Sequence, residues 1–192
     1  MTAPRIATAL FAFALTAFSA TSAFAQDTAQ PSRTTATYGG WTVDCYASNP
    51  VEGQDAAPNK RCEMLTKVMM QVENGTGGGL LLQIGIGPNE DDSDYWVVMQ
   101  TPLNVLLREE VRLFLDVPEG EGVSLPEPLM STSYLYCEPG RCLTRGVLTA
   151  EQMTRLTEAE SITARFVGRQ GREFILPLVM DGLADATKAM DN

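Results

Sequence analysis

The sequence predicts a mainly β protein, an antiparallel sandwich or barrel with one or two short helices near its C-terminus. Apolar and polar residues alternate with a period of two in segment after segment. In residues 80–86 (LLLQIGI) this places Leu80, Leu82, Ile84 and Ile86 on one side. Turn residues punctuate these segments at short intervals, as in Gly77-Gly78-Gly79, Gly87-Pro88-Asn89 and Pro139-Gly140. The cysteines number four, an even set that can staple strands as disulfides.

The chain opens on an export signal rather than on a folded element. Arg5 supplies a positive n-region, residues 6–18 an apolar run, and Ala23-Phe24-Ala25 the small-x-small pattern of a cleavage site, so residues 1–25 read as a signal peptide cut after Ala25. No later stretch approaches the roughly 18 uninterrupted apolar residues of a membrane-spanning helix. Residues 26–37 are polar and small and read as a flexible linker. The remainder, 38–192, is long enough for one compact domain and shows no internal repeat. A periplasmic location follows, with outer-membrane association or secretion as extensions of it.

Each element has its own justification. Trp41, Val43 and Cys45 alternate with Thr42 and Asp44, which makes residues 41–45 the expected first strand, with Trp41 as a core anchor and Gly39-Gly40 turning the chain into the sheet. In residues 62–72, Cys62, Met64, Val68, Met70 and Val72 share a face opposite Glu63, Lys67 and Gln71. Residues 95–101 are aromatic and β-branched, and 111–117 point Val111, Leu113, Leu115 and Val117 one way. Strands over 129–137 and 142–148 form a hairpin, because proline then glycine in Glu138-Pro139-Gly140-Arg141 suit a type II turn. Thr149 followed by Gln152 resembles a capping box and starts a helix. Residues 161–167 and 173–179 make a last hairpin, with Pro177 pointing to an edge position or a bulge. The tail from Asp181 can form a short helix that buries Leu183 and Met190.

In an oxidising compartment the cysteines pair, and four of them allow three connectivities; proximity favours Cys45 with Cys62 and Cys137 with Cys142. Zinc sites want paired short spacings, usually with histidine, and thioredoxin-like centres want C-x-x-C at a helix start; neither pattern is present. Histidine is absent altogether, which excludes Ser-His-Asp, Cys-His and imidazole acid–base chemistry. No phosphate-binding or nucleophile-elbow motif occurs, so the reading assigns no catalytic residue and no cofactor. The acidic run Glu90-Asp91-Asp92-Ser93-Asp94 lacks the order of a calcium loop and reads as a solvated connection, and the methionines are dispersed core fillers rather than a copper site. No metal is expected.

The formal net charge of −10 disfavours nucleic acid and anionic membrane surfaces, both of which reward clustered Lys and Arg.

Four features together carry a family resemblance: Gly-Gly-Trp-Thr-Val-Asp-Cys at 39–45 after the signal peptide, Cys62, the Cys137-x4-Cys142 hairpin, and Phe174-Ile175-Leu176-Pro177-Leu178 before a Gly-Leu-Ala tail. Over residues 38–190 the chain resembles the invasion-associated locus B family of Gram-negative bacteria, departing from it where the usual Gly-Asp-Trp is Gly-Gly-Trp. The resemblance implies an immunoglobulin-like β-sandwich, no catalytic residues, and for some members an association with entry into host cells.

Two functions remain in play. One is a non-catalytic envelope protein that binds a protein partner, in the envelope or on a host cell, through an exposed apolar patch; Tyr134, Tyr136 and Phe114 are candidates for that patch, with packing under the helix at 150–156 as their alternative. The other is a carboxylate-dependent hydrolase, which needs two acidic groups about 5 to 9.5 Å apart in a cleft.

Overall fold

The computed structural model describes residues 33–48, 59–70, 78–90, 92–118 and 124–191. The expected signal peptide and the first part of the expected linker lie outside them. Eleven strands and two helices follow one another, and the strands build two antiparallel sheets.

The larger sheet has seven strands. Strands β1 (Thr34–Tyr38), β2 (Trp41–Ser48), β3 (Asn59–Met69), β4 (Leu80–Pro88) and β5 (Asp94–Thr101) follow in chain order as a meander. With β6 (Val111–Leu115), β7 (Met130–Thr132), β8 (Tyr134–Glu138) and β9 (Arg141–Thr149) numbered along the chain, the sheet is completed by β9 beside β5 and β8 at the edge. The smaller sheet has the order β11 (Glu173–Pro177), β10 (Ile162–Val167), β6, β7. Helices α1 (Ala150–Glu158) and α2 (Leu183–Met190) complete the fold.

Alternation decides which side of the large sheet is dry. Val43 and Cys45 on β2, Cys62 and Met64 on β3, Ile84 and Ile86 on β4, and Val97 and Met99 on β5 are buried, while the residues between them are not. Facing them, Leu113 of β6 and Ala164 and Phe166 of β10 join one hydrophobic cluster, to which α1 adds Met153 and Leu156 and α2 adds Leu183, Ala186 and Met190. Helix α2 packs on β2 and β3, where the Thr187 hydroxyl reaches the Met64 sulfur at 3.7 Å. Helix α1 begins at the capping box: the Gln152 backbone N–H donates to the Thr149 hydroxyl at 3.2 Å, and the Thr149 N–H donates to the Gln152 side chain at 3.0 Å.

Several expectations need correction. Residues 34–37, read as part of a flexible linker, form most of β1, so the Trp41 strand is the second and not the first. Their pattern is polar because β1 is a solvated edge paired on one side only. The stretch 129–137 is two strands rather than one. Met130–Thr132 pairs with β6 in the small sheet, and after Ser133 the chain crosses to pair with β9 in the large one. Strand β6 stops at Leu115, because Asp116 adopts a left-handed φ of 50° and its carboxylate accepts the backbone N–H groups of Glu160 and Ser161. On β3 the buried series runs through Thr66, while Met70 is exposed; Val72 lies outside the described residues.

Candidate functional site

Strand alternation leaves the opposite face of the large sheet for solvent, and there the sequence makes a trough. Two glycines of β4 form its floor: Gly85 and Gly87 alternate with the inward Ile84 and Ile86, so no side chain rises from the sheet at these two positions. On one side stand Glu63 and Arg61 of β3 and Tyr46 of β2. On the other are Trp96 and Val98 of β5, Leu143 and Arg145 of β9, and Leu135 and Tyr136 of β8. The trough holds about 420 Å³, within the range of small-ligand pockets.

Register explains why these side chains converge. Glycine 85 pairs with Val98 on one side and Leu65 on the other, Gly87 pairs with Trp96, and Val98 pairs in turn with Arg145. The guanidinium carbon of Arg145 lies 3.6 Å from the centroid of the Trp96 ring, a cation–π stack that occupies one face of the guanidinium and leaves its N–H edges free. A Cβ at Gly87 would press on the Glu63 Cβ at 3.3 Å, so a larger residue there needs Glu63 to give by a few tenths of an ångström, whereas a Cβ at Gly85 would meet only ordinary contacts at 3.7 Å or beyond.

Electrostatically the two neighbouring acids of this face differ. Asp44 and Glu63 are register partners on β2 and β3. The hydrogen bond from the Thr35 hydroxyl, and after it that from Arg33, holds the Asp44 carboxyl below its ordinary range. Burial pushes Glu63 upward, the Asp44 charge adds to this, and Arg33 opposes it weakly. Asp44 is therefore tied to β1, and Glu63 is the acidic side chain that lines the trough among the described residues.

The residues singled out in the sequence fall in different places. Cys45 and Cys62 sit directly opposite each other on β2 and β3 and are bonded, with Cα atoms 3.9 Å apart; Cys137 and Cys142 do the same at the β8–β9 hairpin, 4.0 Å apart. Gly140, with φ of 101°, closes that hairpin. Trp41 is fully buried and its indole N–H donates to the Val179 carbonyl at 2.8 Å. Of the three aromatic patch candidates, Tyr136 is 55% exposed and lines the trough. Tyr134 is half-buried and within 3.3 Å of the Thr101 hydroxyl, where burial raises its pKa. Phe114 is not part of any exposed patch: it is 3% exposed, on β6 between β10 and β7 in the small sheet. Sequence reasoning missed Trp96, Arg145, Gly85 and Gly87, whose signal was present only as outward positions on strands read for their inward ones. Among the described residues no three His, Cys, Asp or Glu side chains gather where they could hold a metal ion, and no helix is long and apolar enough to cross a membrane.

Fold and site together define a two-sheet antiparallel sandwich with a glycine-floored aromatic trough on its larger sheet. The family model for the Invasion associated locus B (IalB) protein matches residues 41–191, and the chain belongs to that family. Among solved structures it is similar to invasion associated protein B from Bartonella henselae, with a TM-score of 0.59 and 19% identity over 82% of this chain and 95% of that one, a likeness of fold. No curated protein matches the chain.

Proposed function

We propose that the protein is an exported, non-catalytic binding module of the bacterial envelope, and that the trough on its larger sheet is the binding face. The observation that carries this reading is the aromatic and guanidinium lining of Tyr46, Trp96, Tyr136 and Arg145 over a bare glycine floor. Aromatic side chains and arginine are the residue types that dominate binding energy at interfaces. The signal-like N-terminus and two disulfides support export to the periplasm or beyond, and the name of the Bartonella henselae relative supports a role at contact with a host cell. A hydrolase is the weaker reading. Asp44 and Glu63 have pKa values displaced in opposite directions, as an acid–base pair requires, but the Asp44 carboxylate is committed to Arg33 and Thr35.

The test is a photo-crosslinking amino acid placed at Tyr136, and separately at Ile175 on the small sheet, in cells of the native host. Adducts from position 136 that disappear on adding Gly85→Leu support the reading. Equal adducts from both positions, or adducts indifferent to Gly85→Leu, overturn it.

A further inference from the structure

Among the described residues, the charges of the trough make no ion pair with one another or with the rest of the protein. Arg145 is stacked on Trp96 but makes no ion pair among the described residues, and Glu63 makes neither an ion pair nor a hydrogen bond there. Among the described residues Arg61 donates to the Glu90 carbonyl at 3.4 Å and makes no ion pair. Two cations and one anion therefore line a half-buried trough in a chain of net charge −10, and the excess of positive charge runs against the charge of the whole. Of the other arginines, Arg33 is paired with Asp44, Arg141 with Glu138 and Arg165 with Glu173, while Arg155, Arg169 and Arg172 make no ion pair among the described residues but lie outside the trough.

Dimensions narrow the ligand. Glu63 is rooted on β3 and Trp96 on β5, two strand spacings or about 10 Å away, and the Arg145 guanidinium, rooted on β9, is held 3.6 Å from the Trp96 ring centroid. An extended peptide advances about 3.5 Å per residue. With a hydrogen bond of about 2.8 Å at each end, one or two residues cover that gap. Between the charges the lining is apolar, formed by Val98 and the Trp96 ring above the glycine floor, with Leu143 beside Arg145 on β9.

We infer, building on the reading of the trough as the binding face, that it takes a short peptide with both termini free, its carboxylate on the Arg145 fork, its ammonium on Glu63 and an apolar side chain against Trp96. The exposed N–H edges of a stacked guanidinium suit bidentate capture of a carboxylate. Glycines 85 and 87 let the peptide backbone lie close to the sheet, and the shallow volume of about 420 Å³ limits the ligand to a few residues.

Titration calorimetry on the purified, disulfide-oxidised protein tests this with leucyl-leucine, its C-terminal amide and its N-acetyl derivative. The expected result is saturable binding of leucyl-leucine, weakened at least about tenfold by either blocked terminus. Arg145→Gln removes the discrimination between acid and amide, Glu63→Gln removes that between amine and acetyl, and Gly85→Leu abolishes binding. Equal affinity for leucyl-leucine and its amide overturns the proposal, as does the absence of heat with all three at millimolar concentration. Should trough-dependent crosslinks from position 136 persist in that last case, the short-peptide assignment falls while the binding-face reading stands.

Discussion

The indole N–H of Trp41 donates to the carbonyl of Val179 at 2.8 Å, joining the start of β2 to the segment between β11 and α2 across 138 positions of sequence. The bond satisfies the polar edge of an otherwise buried ring, which is why tryptophan and not another large apolar residue fits here. Trp41→Phe removes the donor and part of the volume and is expected to cost about 1 to 3 kcal/mol; Trp41→Ala, about 3 to 5 kcal/mol. Urea unfolding monitored by circular dichroism gives both values, and unchanged midpoints refute the anchor role.

The two disulfides should contribute unequally. The Cys45–Cys62 bridge has a sequence separation of 17 and the Cys137–Cys142 bridge one of 5. In the chain-entropy treatment these loops correspond to about 3 and about 2 kcal/mol. Cys45→Ala/Cys62→Ala is thus expected to lower the melting temperature more than Cys137→Ala/Cys142→Ala, and calorimetric scans of the two double variants decide it.

Gly182 is a steric requirement. Its φ is 83°, in the left-handed region, and a Cβ there would collide with the Tyr38 carbonyl. Gly182→Ala is expected to detach α2 from β1 and β2 and to cost more than about 2 kcal/mol. Faster amide exchange across 183–190, at unchanged exchange in β5, is the signature; uniform exchange would sink the prediction.

Acid should loosen β1 first. The Asp44 carboxyl is held below its ordinary pKa by Thr35 and then by Arg33, so its ionised form is favoured by folding. That stabilisation is complete above the unfolded value of about 4 and disappears as pH falls through the lower folded value. Protection factors of the β1 amides bonded to β2 are expected to fall over that interval, and Asp44→Asn is expected to produce the same loosening at pH 7. Protection that stays flat on acidification would refute it.

What could be read from the sequence follows from where information about burial resides. Val97, Met99, Ile84 and Ile86 announce their strands because one face of each is apolar and the other is not. Thr34–Tyr38 could not be read the same way: an edge strand with both faces solvated has no alternation to show. The crossing at Ser133 was equally silent, since Met130, Thr132 and Tyr134 look like one strand until their partners β6 and β9 are known. The trough was hidden for a related reason. Gly85 and Gly87 weaken a strand pattern locally, and only the pairing of four neighbouring strands brings Glu63, Trp96 and Arg145 around them.

The clasp between the two ends of the described chain has an implication for biogenesis. Besides the Trp41–Val179 bond, the Gly40 N–H donates to the Asp181 carbonyl at 3.0 Å, and Gly182 fits under Tyr38. A segment made late therefore closes over a hairpin made 138 positions earlier. A polypeptide that stops before Val179 cannot complete this closure and leaves the tryptophan of that hairpin uncovered, where quality-control proteases can recognise it.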